Sequence, residues 1–357
     1  MTIIRVAHSG ADYEVVIGEL AKALPKIASL AQGQLLPVVS DAHVYSLHGG
    51  LLSEVALPTP ILVPEGEAAK DWSTLAAIVD QLAALDTKRG TPIIALGGGS
   101  VGDVTALAAS LFKRGCPIVH VPTTLLAQAD SAIGGKTAID AAGQKNLVGT
   151  FHHPLLVAAD PTLLETLDSR QLRSGYAEVV KYGLIDDPAF FAWCEASGRR
   201  LLDGDAQARR TSIEHCVRAK GRIVTADPDD TKGTRALLNF GHTFGHAIES
   251  LAGGALAHGE AVAIGMVMAI DLSAEIGNCA QSDAERIRAH LQTVGLPTQL
   301  SDIGMQAQPG AMLEAMRADK KASAQGPTLI LTHGIGKAFV AKAFDPARLS
   351  EFLERRT

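Results

Sequence analysis

The chain has 357 residues, of which 47% are hydrophobic, 20% charged and 4% aromatic, with a formal net charge of −6. That length suits two ordinary domains with full cores. The acidic balance and scarce aromatics argue against a nucleic-acid surface or a stacking platform for single strands. Cys116, Cys194, Cys216 and Cys279 form no CxxC pair, which points away from a disulfide framework or zinc ribbon and toward a reducing compartment.

The N-terminus, MTIIRVAHSGADYEVVIGE, alternates apolar and polar residues like an opening strand and lacks a signal-peptide core. PVVSD reads as a strand ending on Asp41, and PILVP (60–64), PIIAL (92–96) and PIVHVP (117–122) read as buried strands. Helical periodicity fills 73–86 and 100–114 between them. Apolar strands alternating with helices predict βαβ units and a parallel sheet.

After PIIAL comes GGGSVGD (97–103), where Gly97, Gly99 and Gly102 match GxGxxG in a strand–turn–helix setting. Such a turn lets backbone amides and a helix N-terminus approach a pyrophosphate. The acidic residue that the ordinary dinucleotide fingerprint wants about 20 positions on is missing from PIVHVPTT; Asp41 is the comparable carboxylate, and it precedes the loop.

Beyond about residue 165 the strands fade. Residues 163–185, 205–226 and 259–277 carry helical spacing, and strand-like pieces return at TLILTH (328–333) and KAFVA (337–341). The longest apolar run, AVAIGMVMAI (261–270), is half of a membrane span. The expected plan is an α/β nucleotide-binding domain with a parallel sheet at 1–165, then a mainly α-helical domain at 166–357, in a cytoplasmic protein without membrane or nucleic-acid partners.

In LNFGHTFGHAIES (238–250), His242 and His246 stand four residues apart, one turn on a helix. Catalytic zinc takes three nitrogen or oxygen ligands and leaves a position open. Glu178, His242, His246 and His258 are the candidates. Spacing favours His242 with His246 and leaves His258 open. Lys136, Lys145, Lys181, Lys220, Arg235, Lys320 and Lys321, with Asn146 and Asn239, add polar groups, and several of them share apolar or glycine-rich segments with the histidines. A small substrate carrying phosphate and carboxylate would account for that many cations.

PEGEAAK, GGGSVGD, VPTTLLAQADSAIGGKTAID, KNLVGTF, GYAEVVKYGLI, LNFGHTFGHAIE, HGEAVAIGM and DKK, in this order from residue 64 to 321, resemble the 3-dehydroquinate synthases of the sugar-phosphate cyclase family. The resemblance implies an NAD- and zinc- or cobalt-dependent lyase, commonly a homodimer, that converts the phosphorylated keto-acid sugar 3-deoxy-D-arabino-heptulosonate 7-phosphate to 3-dehydroquinate and phosphate in the shikimate pathway. It implies metal ligation by Glu178, His242 and His258, with His246 facing substrate. NAD would be held by Asp41, Glu67, Lys70, the loop Gly98, Gly99, Ser100, Val101, Gly102 and Asp103, then Thr123, Thr124, Asp130, Lys136, Lys145 and Thr166. Substrate would meet Asp130, Lys136, Asn146, Lys181, Lys220, Arg235, Asn239, His246 and Lys320 or Lys321. Arg114 would reach its phosphate, in this family commonly from a partner subunit. Asp140 stands where an Asn is frequent after GGKTxx, and DVTALAAS, HHP and LDS are local variants; none falls on an expected ligand. The alternatives are a sister cyclase or a metal-dependent NAD alcohol dehydrogenase.

Overall fold

A computed structural model describes every residue except 9–11, 229, 232, 319–326 and 357. The chain divides into two compact units, Met1–Asp168 with Arg209–Asp229, and Ser169–Ala208 with Asp230–Thr357. A single cut at residue 165 therefore misses one segment, since 209–229 groups with the first unit.

In the first unit the strands are β1 (Thr2–Ala7), β2 (Asp12–Ile17), β3 (Val38–Asp41), β4 (Ile61–Val63), β5 (Ile93–Gly97), β6 (Ile118–Pro122), β7 (Ile139–Ala141), β8 (Gln144–Val148) and β9 (Leu156–Ala159). Seven of them form one sheet in the order β1-β2-β9-β6-β5-β3-β4, and β7 and β8 make a separate hairpin. Only the β1–β2 pairing in that sheet is antiparallel. The opening segment read as one strand is thus a two-strand edge.

The helices of this unit are α1 (Leu24–Leu30), α2 (Ala42–His48), α3 (Trp72–Ala84) and α4 (Gly99–Leu111). Period-two alternation assigns each strand residue to one face. Ile93, Ala95 and Ile118 pack with Leu75, Ile78, Val101 and Val104 of α3 and α4. Ile94, Leu96, Val119 and Val121 pack with Leu24 and Ile27 of α1. With both faces covered, the central strands carry continuous apolar runs.

α4 ends three residues before the periodicity does. Lys113 and Arg114 take left-handed backbone, φ 48° and 65°, ahead of Gly115 at 112°. Likewise 163–168 is no part of an α-helix: Pro161–Thr166 is a 3₁₀ turn whose N-cap Asp160 accepts from Thr162 N.

The chain continues with α5 (Ser169–Ile185), α6 (Pro188–Leu202), α7 (Ala206–Ala226), α8 (His242–Leu251), α9 (His258–Glu275), α10 (Gln281–Thr293), α11 (Pro309–Ala318), the antiparallel pair β10 (Leu329–Thr332) and β11 (Ala338–Ala341), and α12 (Pro346–Glu354). Glycines set how closely the central helices of the second unit approach. A Cβ on Gly265 of α9 would fall 2.0 Å from Gly241 O and 2.8 Å from Gly245 N, at the start of α8. One on Gly259 would fall 2.0 Å from Ser174 O of α5, and Gly259 N instead donates to Ser174 Oγ at 2.9 Å. α5, α8 and α9 therefore meet backbone to backbone, and any side chain at these points would wedge them apart.

Gly265→Ala is expected to destabilise the protein by about 3 kcal/mol in urea unfolding, because backbone cannot yield as a side chain can. Gly310→Ala, at an α11 position where an added Cβ meets nothing within 4 Å, is the control and should be neutral or stabilising by up to about 1 kcal/mol.

Candidate active site

The glycine turn links β5 to α4. Gly98 is the N-cap, with no side-chain cap, so the first amides of a 13-residue helix stay open to a ligand. Added Cβ atoms would meet Val101 at 2.7 Å from Gly97, Thr124 Cγ2 at 3.1 Å from Gly98, and Ser131 Oγ at 3.1 Å from Gly99. The loop and Asp103, His120, Ser131 and Lys136 line a small cavity.

Around this turn the expected cofactor residues hold one another. Lys70, 4% exposed, reaches Asp103 Oδ2 at 3.1 Å, Glu67 Oε1 at 3.5 Å and Asn146 Oδ1. Burial alone would depress the lysine pKa; Asp103 first and Glu67 next outweigh it and raise it. Ser100 Oγ donates to Glu67 Oε2 at 3.0 Å. Asn146, expected on the substrate side, thus shares Lys70 as a partner with Glu67 and Asp103 of the expected cofactor set.

Asp140 supplies a link that residue types alone did not signal. Its Oδ1 accepts from Asn146 N at 2.7 Å, and its own N–H donates to Lys70 O at 2.8 Å. Asn146 sits at φ 53°, a left-handed backbone that asparagine tolerates. Asp140 thereby ties Asn146 to Lys70 from the β7 side of the hairpin.

Asp41 ends β3 and caps α2 by accepting from Val44 N at 2.8 Å. Thr123 N donates to Gly97 O at 3.0 Å, and Thr124 Oγ1 accepts from Ala127 N at 3.1 Å, so both threonines also have structural duties. Thr166 Oγ1 donates to Leu163 O at 3.0 Å and lies 2.9 Å from His48 Nε2, a partner with no sequence signal. Lys220 binds Asp130 through its side-chain Oδ1 and through the carbonyl at 2.8 Å. Lys136, Lys145 and Arg114 are exposed, Arg114 on the left-handed turn after α4.

The second unit contains a buried polar cluster. α5 holds Glu178 and Lys181 one turn apart, each 1% exposed and paired to one another. His242 opens α8, where Gly241 at φ 81° turns the chain into the helix. His242 Nε2 lies 3.4 Å and His258 Nε2 3.3 Å from Glu178 Oε1. The His246 ring is 5.3 Å from that of His242 and 6.1 Å from that of His258. Arg235 is buried, and Asn239 Nδ2 donates to Ala236 O at 3.1 Å, both in the 3₁₀ turn before α8. Lys320 and Lys321 lie outside the described residues.

Electrostatics divides the two imidazoles. Burial, the largest effect, pushes His242 down to about 3 against the pull of Glu178, so it is neutral. His258 also suffers burial, but the carboxylates of Glu178 and Glu249 outweigh it and lift it to about 9. Burial would raise Glu178; Lys181 first, then His242 and His258, bring it well below the usual range. The ionised carboxylate still lacks a hydrogen bond of normal geometry to either oxygen.

One donor atom each from Glu178, His242 and His258 lies within 4.8 Å of the others. A carboxylate and two imidazole nitrogens so disposed are donors that suit a divalent ion such as zinc. The buried Glu178 carboxylate, ion-paired with Lys181 and facing both imidazoles, supplies the negative charge such an ion needs there. Spacing favours His246 as partner of His242, yet the structure brings His258 to Glu178 from a different helix.

Residues 60–174 match the family profile described as 3-dehydroquinate synthase N-terminal, and residues 175–322 match 3-dehydroquinate synthase C-terminal. The chain belongs to the 3-dehydroquinate synthase family. A 3-dehydroquinate synthase from a Bradyrhizobium species is 45% identical over 99% of this chain and 96% of its own. Among solved structures, a 2-deoxy-scyllo-inosose synthase complexed with carbaglucose-6-phosphate, NAD+ and Co2+ superposes with TM-score 0.89 at 26% identity, covering all of both chains. The 2-epi-5-epi-valiolone synthase of Streptomyces hygroscopicus subsp. jinggangensis, with NAD+ and Zn2+ bound, gives 0.88 at 29% identity over 98% of this chain and 99% of its own. Membership of the family agrees with both the glycine turn and the buried Glu178 cluster.

His120, beneath the glycine turn and 3.5 Å from an added Gly102 Cβ, is pushed down to about 4 by burial and then by His152. Its folded pKa is below the unfolded value near 6.5, so its contribution to stability is intact above about pH 6.5 and lost as pH falls toward 4. Stability is expected to drop by about 2 kcal/mol from this group between about pH 7 and pH 5. Urea midpoints of the wild type and His120→Asn should converge at the lower pH by that amount; parallel curves would contradict it.

Proposed function

We propose that this chain is a 3-dehydroquinate synthase that converts 3-deoxy-D-arabino-heptulosonate 7-phosphate to 3-dehydroquinate and phosphate. The observation that carries this is the buried Glu178–Lys181–His242–His258 cluster in a chain 45% identical to a protein of that name. It is a carbon–oxygen lyase acting on phosphates, and it works in the cytoplasm as a homodimer. Four free cysteines support a reducing compartment.

NAD belongs to the first unit, at the glycine turn, and the divalent ion to Glu178, His242 and His258. Both neighbours named above hold NAD+ and a divalent metal, cobalt in one and zinc in the other. When bound, NAD accepts and returns a hydride, and the divalent ion acts as a Lewis acid that acidifies the sugar hydroxyl to be oxidised.

The remaining chemistry falls to the chain's own side chains. Open amides at Gly98–Val101 receive the pyrophosphate, while Asp41 receives a ribose hydroxyl. Thr123, Thr124, Asp130, Lys136, Lys145 and Thr166 complete the nucleotide set. Oxidation places a ketone beside the C–H bond that must ionise, and Lys181 and Lys136 stabilise the enolate that develops. Asn146, Lys220, Arg235, Asn239 and Lys320 or Lys321 orient the phosphate and carboxylate, with Arg114 supplied by the partner copy. His246, one turn from His242 and outside the Glu178 triad, moves protons at the substrate hydroxyls. Since the hydride is returned, the turnover leaves no net NADH.

Incubation with the heptulosonate phosphate and catalytic NAD should release phosphate and dehydroquinate in equal amounts with no NADH absorbance. NADH rising in step with substrate would instead indicate an alcohol dehydrogenase, and turnover of a hexose 6-phosphate alone a sister cyclase. His242→Ala should abolish both bound zinc and turnover. His246→Ala should keep stoichiometric zinc while kcat falls about 100-fold or more; loss of zinc there would reassign the third ligand.

A further inference from the structure

Glu249 has no part in the chemistry described above, yet its carboxylate is 7% exposed. It follows His242 by seven residues and His246 by three, so α8 presents all three side chains on one face. Glu249 Oε2 lies 3.2 Å from His258 Nδ1, while His258 Nε2 lies 3.3 Å from Glu178 Oε1. The ring on α9 is thus held at its two nitrogens by carboxylates from two other helices.

A neutral imidazole that ligates through Nε2 must keep its proton on Nδ1, and a buried proton of that kind needs an acceptor. His242 finds its acceptor in the main chain, Phe240 O at 3.3 Å from Nδ1. His258 opens α9 and has no such carbonyl among its described partners; Glu249 takes that place. We infer that Glu249 is a positioning residue for the metal centre. It fixes the tautomer and direction of His258 and strengthens it as a donor, without binding the ion. Glu249, His246 and His258 also have donor atoms within 4.8 Å of one another, so direct ligation by Glu249 is the competing assignment. That assignment takes His258 away from Glu178, the one carboxylate of the two whose oxygens lack a hydrogen bond of normal geometry.

The inference rests on the metal reading above, and the test separates the two. Metal-free full-length protein is titrated with zinc against a chromogenic chelator, and the cobalt(II) form is followed by its visible absorption. Glu249→Ala should weaken zinc binding about 10–100-fold. Glu249→Gln keeps an acceptor oxygen without the charge, so it should recover most of that loss. Both variants should retain the cobalt band positions and intensities of the wild type, since the ligand set is unchanged. Glu178→Gln should alter the bands. If Glu249→Ala fails to fold, Glu249→Gln still reports: an affinity weakened by up to about tenfold with unchanged bands supports the inference. Wild-type zinc affinity in soluble Glu249→Ala, or a Glu249→Gln that binds zinc no more tightly than Glu249→Ala, would overturn it. Cobalt bands altered as in Glu178→Gln would also overturn it, making Glu249 a ligand. A wild-type protein that binds no zinc would remove the metal reading itself.

Discussion

Glu178 is a carboxylate with almost no solvent contact, and it stays ionised because cations surround it. An isolated buried carboxylate would take up a proton instead. Lys181 on the same helix and the protonated imidazole of His258 hold it in the charged form. This single balance explains why one helix must carry a buried Glu–Lys pair and why two further helices must direct rings at it. Neither oxygen has a hydrogen bond of normal geometry, so the cluster has spare capacity to bind a cation.

That arrangement depends on backbone proximity more than on the polar groups themselves. Gly259 lets α9 touch α5 at Ser174, and Gly265 lets it touch the start of α8 at Gly241. His258 and His242 sit on those two helices, beside the contacts. Bulkier residues there would widen the separations among Glu178, His242 and His258 beyond what a shared ion tolerates. The glycines and the Glu178 cluster therefore form one device, with the glycines setting distance and the charged groups exploiting it.

The first unit solves a different problem. Its glycine turn leaves helix amides open, and the nearby charges are already matched to one another. Lys70 joins Glu67, Asp103 and Asn146, while Lys220 joins Asp130. Lys220, one of the cations that look like a surplus in a linear reading, is paired locally. Asp140 takes part by holding Asn146 and Lys70.

The order of elements was legible because its causes are local. Apolar runs such as PIIAL and PIVHVP, the glycine turn after them and the long periodic stretch of α9 each follow from spacing and residue type. The glycine turn was likewise written in consecutive residues. The i, i+4 spacing of His242 and His246 was equally visible, but the structure sets His258, not His246, beside Glu178 with His242; family motifs, not spacing, named Glu178 and His258. Tertiary packing alone decided that His258 meets Glu178, that Glu249 backs His258, that Asp140 supports Asn146 and that α4 stops at Leu111. These depend on contacts between residues far apart in the chain, or on a backbone turn such as Lys113–Arg114 that residue type does not signal. Local patterns specify elements, whereas only the close packing of those elements fixes which polar atoms end up within reach of each other.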